Sequence, residues 1–345
     1  MFMTCKHPWK TIYVDNDNGS YKLKPCCRAT DVVGNADSIE EIYNHPGLQE
    51  IRDTFSKGAT PAICNGCGNK RKNSLTDPIF QNNIGIVDWD IRTDHICNLK
   101  CAMCNPYQSS KWHEDLDVYS KFFKDSMIPR KAPDWNYILK HTKNKARRVY
   151  LAGGEPFYSK QVLKFLEDLS NYSWNCKHTQ IEIQTNGVSL NDKTFKLLQR
   201  FEKVHFCMSV DAITDVNHII RFPTNWDTFL DNYDMFKRIN DNKMLFSVTV
   251  QAMNLPVIDD LVEYFPNDNF ILNQLNYPEI LHINSLKPEV IADVLAKTKL
   301  PEVKQMCNEY QYNAEGNREL QKYLQDLDTK RNTSSPKYMP WCFAK

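Results

Sequence analysis

Three cysteines, Cys97, Cys101 and Cys104, fall close together in the stretch HICNLKCAMCNP, separated by three and then two residues. Chance would supply only about 0.015 such C-x3-C-x2-C matches in a chain with this cysteine content, so the spacing itself is informative. Three thiolates on one loop suit an iron–sulfur cube with one iron left without a protein ligand, and that iron keeps a coordination place for a small molecule. The same thiols could instead hold zinc, with His95 or His113 completing a tetrahedral set.

Five further cysteines, Cys5, Cys26, Cys27, Cys64 and Cys67, precede that motif in the stretches CKHPW, KPCC and CNGC. Four thiolates would close a second cluster completely, whereas the C-x2-C pair of Cys64 and Cys67 serves a zinc ribbon equally well. The opening residues lack an apolar stretch long enough for a signal peptide. No later run approaches the ~18 apolar residues of a membrane span, so a cytoplasmic protein without a membrane partner is expected. In a reducing compartment, clustered cysteines point to metal ligation or catalysis rather than to disulfides. Cys176, Cys207, Cys307 and Cys342 stand apart and are not expected to be ligands, the first three acting as small apolar residues.

The elements that must position these thiols follow from hydrophobic periodicity. Short β-branched or aromatic runs alternate with longer amphipathic stretches, the runs being GIVDWDI, RRVYLAG, TQIEIQT, VHFCMSV, LFSVTVQ and FILNQL. Helical patterns lie between them at roughly 109–126, 134–143, 159–171, 191–201, 226–240 and 255–264. This rhythm specifies an α/β fold built on a parallel sheet, as an open doubly wound sheet or a partial barrel. The three-cysteine motif follows directly on the first run, where loops at the carboxyl ends of parallel strands build active sites. Residues 1–85 read instead as a small cysteine-rich α+β module. It contains a hairpin turning at Asn16 to Gly19 and helices opened by a capping box of Ser38 with Glu41. Such a unit buries little core and calls for a metal as a staple. Residues 286–345 read as helices followed by a Ser/Pro-rich tail.

VYLAGGEPF closes the second run, IQTNG the third and MSVDA the fourth, with HIIRFP beyond it. Together with the cysteine motif, this succession resembles the radical S-adenosylmethionine (radical SAM) superfamily. The resemblance implies a partial (β/α)6 TIM-like barrel over residues 86–285, a 4Fe-4S cluster on Cys97, Cys101 and Cys104, and S-adenosylmethionine chelated at the open iron. It implies reductive cleavage of the sulfonium to a 5′-deoxyadenosyl radical that abstracts a substrate hydrogen. By the same likeness Gly153, Gly154 and Glu155 bind the methionine end, and Glu155 joins the three cysteines in the catalytic centre. Glycines without Cβ let the backbone approach a ligand, and a carboxylate accepts hydrogen bonds from an ammonium. Gln184 and Asn186 are implied to face the reaction chamber, Ser209 and Asp211 to lie near the ribose or carboxylate, and Arg221 to pair with the cofactor carboxylate.

Residues 1–85 are similar to the twitch domain, a shortened relative of the SPASM domain that holds one auxiliary 4Fe-4S cluster, although here it precedes the barrel. Cys5, Cys64 and Cys67 are the implied ligands. Cys26 is preferred over Cys27 because it matches the glycine-then-cysteine pattern of such domains, with Gly19 further away than that pattern has. Members with such a domain most often modify ribosomally made peptides or protein side chains. The resemblance therefore implies a peptide or protein substrate, with oxidation, cross-linking or epimerisation as the outcome, and a flavodoxin- or ferredoxin-type electron donor. A radical SAM enzyme acting on a nucleic acid or small metabolite would share the same motifs, and a non-catalytic zinc protein is the alternative from another class. With 43 basic against 42 acidic residues, no overall field draws in polyanions, which argues against a long nucleic-acid partner. The local basic runs NKRKN and KNKARR read as solvated faces. Cys207 shares the parity of Ser209 and could meet a substrate radical, while Cys342 could fold back over the barrel mouth.

Overall fold

The computed structural model describes residues 2–29, 31–65, 67, 71–73, 85–124, 127–239 and 244–344. All six β runs become strands, and one more precedes them. They are β1 (Thr11–Val14), β2 (Asp88–Arg92), β3 (Arg148–Ala152), β4 (Gln180–Thr185), β5 (Lys203–Ser209), β6 (Leu245–Val250) and β7 (Asn269–Gln274). The sheet of seven strands runs in chain order from β1 to β7. Pairs β1–β2, β2–β3, β3–β4, β5–β6 and β6–β7 are parallel. The α/β class with a parallel sheet is thus observed.

The N-terminal hairpin is shorter than the sequence suggests. Asn16–Asp17 and Ser20–Lys22 pair antiparallel across Asn18 and Gly19, whose φ values of 58° and 100° belong to a tight hairpin turn. Asn35–Ala36 adds a third strand to this small sheet. Thr11–Val14 does not belong to it. All four of its residues are buried, as in a strand covered on both faces, and they pair with Asp88–Ile91. Ser38 begins a helix, Ile39–Asn44, without a side-chain cap bond. The Glu41 carboxylate instead accepts from the Asp37 N–H at 3.2 Å.

The chain divides into two compact units. Met1–Ile96, Ile128–Gln184 and Asn191–His205 form the first, and Cys97–Met127, Thr185–Leu190 and Phe206–Lys345 form the second. In the first, α1 (Lys160–Leu169) buries Val162, Phe165, Leu166 and Leu169, the spacing of one helical face. α2 (Asp192–Leu198) is opened by Asn191, whose side chain accepts from the Thr194 N–H at 3.0 Å. In the second, α3 (Thr214–Ile220) and α4 (Trp226–Ile239) follow β5. The long α5 (Ala314–Arg331) buries Leu320, Tyr323, Leu324, Leu327 and Arg331 and ends at left-handed Asn332.

Strand parity separates a packed face from a polar one. Ile181, Ile183 and Thr185 of β4 are buried while Gln180, Glu182 and Gln184 are half-buried. The same alternation sets Cys207 and Ser209 of β5, and Ser247 and Thr249 of β6, on the less covered side. Among the described residues no helix is long and apolar enough to cross a membrane. Lys143, Lys145 and Arg147 of the second basic run are exposed. The side chains of the first, residues 69–73, lie outside the described residues.

Candidate functional site

The three-cysteine loop of the second unit is held by its backbone. Lys100 N–H donates to the Phe222 carbonyl and Ala102 N–H to the Ile220 carbonyl, each at 2.7 Å. Tyr323 of α5 donates its hydroxyl to the Ala102 carbonyl at 2.7 Å, and the Trp112 indole N–H donates to the Cys101 carbonyl at 3.0 Å. Ser110 closes the start of the loop, its Oγ accepting from Cys97 N–H and donating to Cys97 O, both at 3.2 Å. Cys97 is buried, and Cys101 and Cys104 are half-buried. These bonds fix the loop through its backbone, while the Cys97 sulfur accepts from the Leu99 N–H at 3.4 Å and the Cys104 thiol lies 3.9 Å from the Asn105 carbonyl. Burial raises the Cys101 thiol above its ordinary value, while the nearby Arg221 opposes the shift.

Four of the expected residues gather in this unit. Arg221 Nε lies 2.7 Å from Asp211 Oδ2, and the other Asp211 oxygen accepts from the Thr249 N–H at 2.7 Å. The Asp211 carboxylate, with Cys101 and Cys104, holds Arg221 above the ordinary guanidinium range against the effect of burial. Here the arginine is paired with its neighbour on the chain. Asn254 supports the pair by donating to the Asp211 carbonyl at 2.9 Å. Asn186 donates to Asn98 Oδ1 at 2.7 Å, and its own oxygen accepts from the Val188 N–H at 3.0 Å. It therefore grips the cysteine loop between Cys97 and Cys101. Ser209 lies on β5 beside Ser247 of β6. Asn98, Thr249 and Asn254 carried no signal in the sequence, because single polar residues without a motif cannot be told from surface positions.

In the first unit, the Gly153–Glu155 turn leaves β3 and packs against the segment that leads to Cys97. Thr93 N–H donates to Ala152 O at 2.7 Å, Gly154 N–H to Asp94 O at 2.8 Å and Glu155 N–H to Ile96 O at 2.8 Å. A Cβ at Gly153 would stand 2.3 Å from Thr93 Oγ1, and one at Gly154 2.3 Å from the Ile96 carbonyl oxygen. The close approach that the glycines permit is thus made to the chain itself. Glu155 is buried, and its Oε1 accepts from Phe157 N–H at 3.1 Å. Ser159, at the start of α1, donates to Asp94 Oδ2 at 2.7 Å and so ties the same segment down. Gln184 lies on the polar face of β4, within 3.5 Å of the Tyr150 hydroxyl.

Cys5, Cys26 and Cys67 also belong to the first unit and are close enough for their charges to act on one another. Burial is the main cause that raises the thiols of Cys5 and Cys26. Cys67 N–H donates to Cys64 O at 3.4 Å, the compact turn of a C-x2-C pair. Cys27 is engaged differently. Its thiol is pushed up to about 12 by burial and by the charge of Asp90, whose carboxylate it hydrogen-bonds. Cys307 and Cys342 are buried, and Cys176 donates to the Ser170 carbonyl at 3.2 Å. In the tail, Trp341 Nε1 and Cys342 Sγ both reach the Ala252 carbonyl, at 3.1 and 3.5 Å, just beyond the carboxyl end of β6.

Among the described residues, no three His, Cys, Asp or Glu side chains are grouped as ligands of a metal ion would be. In a cubane each thiolate binds a different iron and the sulfurs stand apart. A loop with three thiols, braced by backbone bonds and by Asn186, fits that donor set.

The sequence profile described as the Radical SAM superfamily matches residues 91–264, half of the chain. An uncharacterised protein of Methanocaldococcus jannaschii is 24% identical over 177 residues, which are 50% of this chain and 56% of that protein. Streptococcus suis SuiB bound to S-adenosylmethionine is similar in structure, with a TM-score of 0.40 and 17% identity over 83% of this chain and 53% of that one. For anSMEcpe with bound AdoMet the TM-score is 0.41 and the identity 16%, over 58% and 56% of the two chains. The chain spans little more than half the length of each of these three proteins.

Proposed function

Because the chain belongs to the radical SAM superfamily, we propose that it cleaves S-adenosylmethionine reductively and takes a hydrogen atom from a peptide or protein substrate. The observation that carries this reading is the braced loop bearing Cys97, Cys101 and Cys104 at the end of β2. When bound there, a 4Fe-4S cluster with S-adenosylmethionine supplies the electron that breaks the sulfonium and the 5′-deoxyadenosyl radical that abstracts hydrogen.

The chain's own residues divide the remaining work. Cys97, Cys101 and Cys104 would hold the cluster by their thiolates. Glu155 would accept from the ammonium of the methionine moiety, on a turn whose position Gly153 and Gly154 make possible. Asp211 and Arg221 form a buried pair that keeps a cation close to Cys101 and Cys104, and a ligand carboxylate there would have to share Arg221 with Asp211. Ser209 would offer a hydroxyl to the ribose. Gln184 would face the substrate from the polar side of β4, and Asn186 would serve by fixing the cysteine loop.

We assign the residues 1–85 to an auxiliary cluster module, 86–285 to the radical SAM part and 286–345 to C-terminal helices and tail. Cys5, Cys26, Cys64 and Cys67 then ligate a second 4Fe-4S cluster, and the engagement of Cys27 with Asp90 supports the choice of Cys26. Four protein ligands leave that cluster no open iron, so its part is to accept an electron or to anchor the substrate. This pairing of clusters suits oxidation, cross-linking or epimerisation of a peptidyl side chain, with a flavodoxin- or ferredoxin-type protein as donor. Anaerobically reconstituted protein given dithionite and S-adenosylmethionine is expected to release 5′-deoxyadenosine slowly, and faster with the right peptide. No release from protein with full iron and sulfide, or a colourless protein holding only zinc, contradicts the reading.

A further inference from the structure

Behind the cysteine loop lies a group of charges that the cluster ligands do not use. Asp115 is fully buried, and its two oxygens are taken by two cations: Lys100 Nζ at 2.7 Å and Arg331 Nε at 2.8 Å. Lys100 sits inside the three-cysteine motif itself, one residue before Cys101, and also reaches Glu114 at 3.2 Å. Arg331 is the last residue of α5, more than two hundred positions along the chain. Its guanidinium carbon stands 4.8 Å from the centre of the Trp112 ring and 5.3 Å from that of Phe222. Those two residues bond the loop directly, Trp112 through the Cys101 carbonyl and Phe222 through the Lys100 N–H.

The remaining nitrogens of Arg331, Nη1 and Nη2, are buried without a hydrogen-bond partner. Leaving guanidinium N–H groups dry is costly, and helix stability alone gives no reason for it. Glu114 is exposed and is shared between Lys100 and Lys111, so three cations face two carboxylates, and the excess of positive charge falls on the buried part of the group, where its field is weakly screened. A cluster held by three thiolates is negatively charged, and it gains negative charge when it accepts an electron. A fixed cation behind the loop favours that reduced form.

We propose that Arg331 is a positioning residue for the three-cysteine loop, which it braces through Asp115 and Trp112 and to which, with Lys100, it supplies positive charge that eases reduction of the bound cluster. The C-terminal helix thereby becomes part of the cluster's electrostatic setting. The inference rests on the cluster reading above, and its test separates the two.

The experiment measures the midpoint potential of the three-cysteine cluster by redox titration followed by electron paramagnetic resonance, in the full chain. Wild type is compared with Arg331→Met, Arg331→Lys and Lys100→Met, and far-ultraviolet circular dichroism monitors folding. The expected result is a shift to more negative potential in Arg331→Met and Lys100→Met, with Arg331→Lys close to wild type. Bracing is read separately in metal-free protein by alkylation of Cys97, Cys101 and Cys104, which is expected to quicken in Arg331→Met. If Arg331→Met does not fold, Lys100→Met still reads the charge effect. Unchanged potentials in the methionine variants, or equal shifts in Arg331→Met and Arg331→Lys, overturn the proposal. A wild-type protein that takes up no cluster overturns the function reading instead, and the alkylation rates then decide the bracing on their own.

Discussion

At Gly154 the chain tolerates no side chain: a methyl group there would stand 2.3 Å from the Ile96 carbonyl oxygen and 2.8 Å from the His95 carbonyl carbon. Backbone must move to admit it, so Gly154→Ala is expected to lower the stability of the metal-free protein by at least about 2 kcal/mol in urea denaturation. An unchanged midpoint would show that the turn can yield to a methyl group. The sequence marked this glycine through its motif but gave it a ligand as neighbour, whereas the neighbour is the segment before Cys97. Asn98 was invisible for a different reason. Its role depends on Asn186, eighty-eight positions away, and no local pattern announces such a pair. Asn186→Ala is expected to reduce iron content at the three-cysteine site with far-ultraviolet circular dichroism unchanged. Full occupancy would remove Asn186 from the support of the loop.

Elements were legible where their signal is local. The helical face of α1, with Val162, Phe165, Leu166 and Leu169, repeats at the helical spacing, and the alternation of β4 separates its two faces without ambiguity. β1 lacks such a signal. TIYV suits one strand of a hairpin as well as a strand of a buried parallel sheet, and what decides is its pairing with Asp88–Ile91, far along the chain. The α3 region shows the same dependence on distant partners, because Arg221 at its end is read only through Asp211. Arg221→Met leaves the Asp211 carboxylate buried without its cation, and a loss of about 3–5 kcal/mol is expected from thermal and urea unfolding. A loss below about 1 kcal/mol would mean that water or another cation reaches Asp211. On α5, Tyr323→Phe removes the hydroxyl that holds the Ala102 carbonyl and is expected to cost about 0.5–1.5 kcal/mol.

For the molecule as a whole, the buried thiols link stability to pH. Burial raises Cys5, Cys26, Cys101 and Cys342 above the ordinary thiol value. In the unfolded chain the same groups ionise near pH ~8.5. As pH rises through that value the unfolded state gives up protons that the folded state keeps, so folding stability falls. The melting temperature of metal-free protein is therefore expected to decline between about pH 7.5 and 9.5, and a flat profile would show that these thiols are solvated. Two cysteine sets, one in each unit, further predict that changing Cys97, Cys101 and Cys104 together to alanine removes about half of the iron. The central claim is an iron without a protein ligand at the three-cysteine loop. Its most direct test is the electron paramagnetic resonance spectrum of the reduced wild-type protein before and after S-adenosylmethionine is added. A changed signal from that cluster is predicted, with the signal of the proposed second cluster unaltered; identical spectra at saturating S-adenosylmethionine would contradict the account.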